Sequence, residues 1–134
     1  LAGGAHPLSQ KVLRASSGAV FHLPFLRFEG TEEEIMNSIL KSLSKLSNVG
    51  FHIFSTSSHN KSNRNSSRPY WEVDWTKRIA LILGNEGQGI HKKILKAFNE
   101  TISIPHSELV ESLNVACVAV PLLLERKRVA YTSK

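Results

Sequence analysis

Residues 79–105, IALILGNEGQGIHKKILKAFNETISIP, decide the fold class of this chain. Residues 79–83 are an uninterrupted apolar run, the pattern of a strand buried on both faces of a parallel sheet. A glycine-rich turn follows at 84–89. Residues 90–98 then place Ile90, Ile94 and Leu95 at helical spacing, facing inward. Residues 102–104 read as a second short strand, closed by Pro105. Strand, turn, helix and strand in this order are the unit of an α/β domain built on a mainly parallel sheet.

The rest of the chain extends that alternation. Ser9 stands where it can cap a helix over 10–17, with Gly18 at its end, and 19–23 reads as a strand stopped by Pro24. Thr31 and Glu34 have the spacing of a capping box. Glu32, Glu33 and Glu34 suit the positive end of the helix dipole. Ile35, Ile39, Leu43 and Leu46 continue the pattern as an amphipathic helix over 32–46. Residues 51–54 form a candidate strand, and 55–68 read as a polar, basic loop. Downstream, a polar loop at 106–112 leads into a final helix over 113–127, for which Ser112 is the natural N-cap. Asn114 lies in an otherwise apolar stretch. If buried, its amide needs hydrogen-bond partners.

A length of 134 residues suits one domain, and 41% hydrophobic with 21% charged residues is the balance of a folded chain, not a disordered one. No apolar stretch approaches the ~20 residues of a membrane span, and 115–124 is too short and contains Pro121. The net charge of +6 favours a polyanionic partner such as nucleic acid. Its lysines and arginines cluster: Lys61, Arg64 and Arg68; Lys77 and Arg78; Lys92, Lys93 and Lys96; Arg126, Lys127 and Arg128. The basic stretch 59–68 is a candidate for contact with a phosphate backbone. Cys117 is the only cysteine, so no intrachain disulfide forms; a reducing compartment is expected, the cytoplasm or, for a eukaryotic parent, an organelle. Six scattered histidines offer no metal-ligand spacing.

The turn GNEGQG narrows the chemistry. A strand, a glycine-rich turn and a helix present backbone N–H groups to a ligand. The turn lacks the Gly-Lys-Ser/Thr of a P-loop, and glycines at 84, 87 and 89 do not make the dinucleotide fingerprint. Glu86 would repel phosphate. A ligand without phosphate, or one carrying positive charge, is therefore favoured, and S-adenosylmethionine satisfies both conditions. Taken by itself, the turn is equally an ordinary strand-to-helix connection.

Two long segments carry a resemblance. LILGNEGQGI, 81–90, resembles the second motif of the SpoU/TrmH RNA methyltransferases of the SPOUT superfamily. IPHSELVESLNVACVA, 104–119, resembles their third motif, usually close to IPM-x-G-x-x-ESLNVSVA, at the family's order and separation. HPLSQKVLRASSGAVFHLP, 6–24, is similar to a family segment of the SPKVLRASxGAxFRLP type. The resemblance implies an α/β fold with a parallel sheet flanked by helices and a C-terminal trefoil knot, a rare exception to the rule against knots. It implies S-adenosylmethionine as cofactor, RNA (rRNA or tRNA) as substrate, methyl transfer to a ribose 2′-hydroxyl, and a homodimer whose sites draw on both subunits. No metal is implied. Gly84, Asn85, Gly87, Ile104, Pro105 and Leu113 would line the cofactor pocket, with the backbones of Gly84, Ile104 and Leu113 holding the adenosine part. Glu86, Ser112 and Asn114 match polar positions that organise the family's active site.

The sequence departs from the family pattern in four places. No N-x-G-A-I-x-R stretch is present, whose arginine the family ties to activating the target hydroxyl; Arg14 lies in the following segment and does not take that role. The chain is therefore expected to be the C-terminal portion of the catalytic domain, lacking an N-terminal part. His106 stands where methionine is usual, and Glu108 where glycine is usual. Pro121 interrupts the final helix. Two other classes stay open at this point: a non-catalytic RNA-binding or dimerising domain with a degenerate pocket, and a nucleotide-binding domain, against which Glu86 and the missing lysine weigh.

Overall fold

The computed structural model describes Ala2 and residues 5–57, 67–85, 89–107 and 113–132. They belong to two compact units, Leu1–Ser42 and Leu43–Lys134.

In the first unit, helix α1 spans Gln10–Ala15. It is shorter than the stretch 10–17 expected between the Ser9 cap and Gly18. Ser17 and Gly18 both take positive φ, 47° and 84°, and successive left-handed residues stop a right-handed helix. The strand expected at 19–23 is not formed. Ala19–His22 coils instead as a 3-10 turn, with the Ala19 N–H donating to Ser16 O at 2.8 Å and the Phe21 N–H to Gly18 O at 3.1 Å. Local turn bonds thus take the amides that a ladder would have used.

Helix α2, Glu32–Asn48, begins in this unit and ends in the next. Its capping box forms as expected. The Thr31 N–H donates to Glu34 Oε2 at 2.8 Å, and the Glu34 N–H donates to Thr31 Oγ1 at 3.3 Å. The backbone bond from Thr31, then the bond from its hydroxyl, holds the Glu34 carboxyl below its ordinary range. Met36 is buried, and Ile35, Ile39, Leu43 and Leu46 are half-buried along the predicted face. The helix ends in a Schellman motif. Gly50 sits at φ 87°, its N–H donates to Ser47 O, and the Phe51 N–H reaches back to Leu46 O at 3.0 Å.

The second unit holds a four-stranded sheet of β1 (His52–Ser57), β2 (Ser67–Pro69), β3 (Ile79–Ile82) and β4 (Thr101–Ser103). The spatial order is β2-β4-β1-β3, and every pair is parallel. Ser55 of β1 stands opposite Ile82 on one side and Thr101 on the other. Two expectations are corrected here. Ser55–Ser57 and Ser67–Arg68, read from sequence as loop, belong to strands, because ladder bonds between backbones tolerate polar side chains. β3 is half-buried throughout, not buried on both faces, because it is the end strand of this sheet.

Two helices complete the unit, α3 (Lys92–Ala97) and α4 (Val115–Thr132). The core lies on the face of the sheet that Phe54 and Ile102 share. There Leu122 of α4 is wholly buried against Phe54, Ile102, Val73 and Trp75, with Val118 and Val129 packed alongside. Burying a leucine this completely contributes roughly 1.5–3 kcal/mol. Val73 and Trp75 come from the link between β2 and β3, which crosses from one end strand to the other. Trp75 is 2% exposed, and its indole N–H donates to Tyr70 O at 2.7 Å; the Arg126 guanidinium donates to Trp75 O. Ile53 alternates to the opposite face of β1 and lines a depression with Ala97 and Phe98 at the end of α3. Pro121 does not end α4, which continues through it to Thr132; only the bond to the Cys117 carbonyl is forfeited. Among the described residues, no helix is long and apolar enough to cross a membrane.

Candidate functional site

Because all four strands are parallel, their carboxyl ends share one edge, where open α/β sheets bind ligands. The GNEGQG turn leaves β3 at this edge. Asn85 and Gly89 form an antiparallel bridge, with the Gly89 N–H donating to Asn85 O at 3.1 Å. Gly89 takes φ 66°, and a Cβ placed on Gly84 would lie 2.6 Å from the Gly89 carbonyl carbon. No side chain fits between two backbones at that distance, so glycine at 84 is a requirement of the closure. Asn85 and Gly89, the described ends of the turn, are thus clamped together as its neck.

Across β1 from this turn, β4 ends and delivers Ile104, Pro105 and His106 to the same edge. Two strand spacings separate Gly84 from the Ser103–Ile104 level, about 9.5 Å. This is the scale of a nucleoside. Ile104 is half-buried and packs on the core. Its carbonyl accepts from His106 Nδ1 at 2.8 Å. A carbonyl can only accept, so Nδ1 carries the proton. Sequence reasoning treated His106 only as a departure from methionine; its part in holding the Ile104 backbone carries no sequence signal.

Leu113 and Asn114 open α4. Leu113 is half-buried, whereas Asn114 is exposed, and this corrects the expectation of an amide within the apolar helix. Asn114 is the residue before the first helical position. Its Oδ1 accepts from the Ala116 N–H at 2.8 Å, and its carbonyl accepts from Val118 at 3.0 Å. That is the geometry of an N-cap, a role sequence reasoning gave to Ser112, and it is worth about 1 kcal/mol. The structure thus brings Gly84, Asn85, Ile104 and Pro105 to one edge and sets Leu113 and Asn114 at a helix start. Glu86, Gly87 and Ser112, and with them the expected acidic and hydroxyl groups of the site, lie outside the described residues, as does Glu108.

A depression of about 360 Å³, lined by Ser47, Phe51, His52, Ile53, Phe98 and Glu100 among others, lies at the amino ends of β1 and β4. It is at the wrong edge of the sheet for the strand-end turns and is separate from the site just described. Among the described residues, no three His, Cys, Asp or Glu side chains converge as metal ligands.

Comparison with known proteins agrees with the fold. Residues 2–124 match the model of the SpoU rRNA Methylase family. An uncharacterised tRNA/rRNA methyltransferase of Synechocystis is 30% identical over 122 residues, 91% of this chain and 39% of that protein. The 23S rRNA guanosine 2′-O-methyltransferase RlmP of Bacillus subtilis is 29% identical over 121 residues, 90% of this chain and 43% of that protein. The crystal structure of the SpoU methyltransferase AviRb from Streptomyces viridochromogenes, in complex with AdoMet, superposes with a TM-score of 0.75 at 26% identity. That superposition covers 98% of this chain and 49% of AviRb. The chain therefore spans half or less of the length of these relatives.

The closure of the turn makes a direct prediction. Gly84→Ala forces the Gly89 backbone to move, at a cost on the order of 1–3 kcal/mol. Amide resonances of Asn85 and Gly89 are expected to shift while those of α4 stay in place. Unchanged resonances at both positions would contradict the closed neck.

Proposed function

Because the chain belongs to the SpoU rRNA Methylase family, we propose that it carries the cofactor site of an enzyme that methylates a ribose 2′-hydroxyl of rRNA or tRNA from S-adenosylmethionine. The close approach of Gly84 to the Gly89 backbone, on the sheet edge where β4 also delivers Ile104 and Pro105, is the observation that carries this reading. Backbone segments two strand spacings apart along this edge, about 9.5 Å, suit the two ends of an adenosine laid across it. AviRb, whose fold superposes on this one, was crystallised with AdoMet, and the name of RlmP specifies a 2′-O product.

In the proposed reaction the ribose 2′-oxygen attacks the sulfonium methyl carbon. The new C–O bond forms as the C–S bond breaks, the sulfur keeps the electron pair, and the hydroxyl proton passes to a base. When bound, the cofactor supplies an activated methyl group. The chain's own contribution is to hold oxygen, carbon and sulfur in line and to give the proton somewhere to go. Gly84, Asn85, Gly87, Ile104, Pro105 and Leu113 are assigned to the cofactor, and Glu86, Ser112 and Asn114 to the reacting end. The family's trefoil knot belongs to the proposal as well; the connections 58–66 and 108–112 that would trace it lie outside the described residues.

The proposal includes a homodimer. Helix α4 is apolar on two sides. Val118, Leu122 and Val129 pack in the core, while Cys117, Val120, Leu124 and Tyr131 form a second row with Leu123 beside it. Val120, Leu123, Leu124 and Tyr131 are each more than half exposed. Val120, Leu123 and Leu124 suit a partner surface, bordered by Lys127, whose ammonium lies over the Tyr131 ring, and an identical helix is apolar in the matching way.

Two experiments test these statements. RNA incubated with methyl-labelled S-adenosylmethionine and this chain joined to an upstream segment that carries N-x-G-A-I-x-R is expected to gain label in alkali-resistant dinucleotides, since a 2′-O-methyl group blocks cleavage by the neighbouring hydroxyl. Asn114→Ser, which keeps the helix cap, is expected to lower the rate at least tenfold. Label on bases only, or binding of ATP or NAD in place of S-adenosylhomocysteine, would overturn the assignment. For the dimer, sedimentation equilibrium is expected to give twice the chain mass, and Leu123→Lys with Leu124→Lys to give the single mass; a monomeric parent chain would refute it.

A further inference from the structure

Helix α3 breaks a rule that α2 obeys. α2 opens with Glu32, Glu33 and Glu34 and has Lys45 in its last turn, as the helix dipole favours. α3 opens with His91 as N-cap and Lys92 and Lys93 in its first turn, with no acidic residue there. Positive charge at that end works against the dipole. At about 100° per residue, Lys92, Lys96 and Lys93 lie within an arc of about 100°, away from the buried Ile94. All three are exposed. Among the described residues, none of their ammonium groups has a carboxylate or hydrogen-bond partner: the ion pairs join Arg27 to Glu29 and Arg128 to Glu125. Lys96, in the last turn, suits the dipole, but Lys92 and Lys93 do not, and among the described residues none of the three like charges has a counter-ion. A local rule broken without a compensating contact points to a binding role.

Position supplies the partner. Lys92 is three residues past Gly89, the neck of the clamped turn, so it lies within about 11 Å of it along even a fully extended chain. A ribose presented at that turn carries phosphates on both sides, a few ångströms from its 2′-oxygen. We propose that Lys92, Lys93 and Lys96 form the surface that receives the phosphodiester backbone of the RNA next to the target nucleotide. This rests on the methyltransferase reading above. The contact is to phosphates, so it sets register and affinity and carries no base preference.

The test is the salt dependence of binding of a short RNA hairpin, measured on the full chain. Each phosphate contact contributes about 0.7–0.9 to the slope of log K against log salt. The variant K92A/K93A/K96A is expected to flatten that slope by about 2, with weaker binding at low salt. Alanine suits a helix, and circular dichroism checks that α3 persists. K11A/K41A/K45A, which removes the same charge from α1 and α2, is expected to leave the slope unchanged. Equal slopes for the parent chain and K92A/K93A/K96A, an equal flattening in both variants, or no RNA binding by the parent chain would each overturn the proposal. S-adenosylhomocysteine binding, measured in parallel, is expected to be the same in all three proteins. Its absence from the parent chain would overturn the cofactor reading separately, while the slopes still decide the lysine surface.

Discussion

The contact of Leu122 with Phe54 and Ile102 is the one on which the second unit depends. It joins the last helix to the two inner strands, β1 and β4, and the crossing link closes over it through Val73 and Trp75. Leu122 is wholly buried and Trp75 nearly so. Truncating a leucine in such a place costs about 2–5 kcal/mol, a large part of a small domain's stability. Trp75 adds direction to this packing. Its indole N–H is satisfied by Tyr70, and its carbonyl receives Arg126 of α4, so the link, the helix and the sheet are tied by specific bonds as well as by area.

That core fixes the strands, and the strands fix the site. Parallel pairing sends the ends of β3 and β4 to one edge with β1 between them, and the chain there has no side chain to spare. Gly84 is locked against the Gly89 backbone, and the Ile104 carbonyl is held by His106. Backbone groups placed in this way are rigid, and rigidity is what a reaction needing three atoms in line requires. Asn114 joins the two levels, since the atom that caps α4 belongs to a residue proposed to act at the site. A change there tests function cleanly only when the cap is kept.

The sequence was legible where one signal acted without competition. The capping box at Thr31 and Glu34 formed as its pattern predicts, and the run 79–83 gave a strand over Ile79–Ile82, though a half-buried one. Misreadings arose where tertiary or local bonds overrode composition. Residues 19–22 have strand-like side chains, yet two left-handed residues before them hand their amides to a turn. Ser67 and Arg68 have loop-like side chains, yet their backbones pair with β4. Val73 and Trp75 show no helical period and only a two-residue alternation, so their burial becomes visible only once the crossing link is placed over the sheet. Leu95 was expected to face inward but is 38% exposed, because α3 is short and Ile94 is its anchor. For the site, the glycines and the strand ends could be read from the sequence. The cap formed by Asn114 could not, because Ser112 offers the same chemistry two residues earlier.

The most direct measurement is a titration of the labelled chain with S-adenosylhomocysteine, followed by amide resonances. A cofactor pocket at the carboxyl edge predicts saturable shifts at Gly84, Asn85, Ile104, Leu113 and Asn114, with Phe51, His52 and Phe98 at the opposite edge unmoved. Shifts confined to Phe51, His52 and Phe98, or none anywhere in a folded chain, would contradict it.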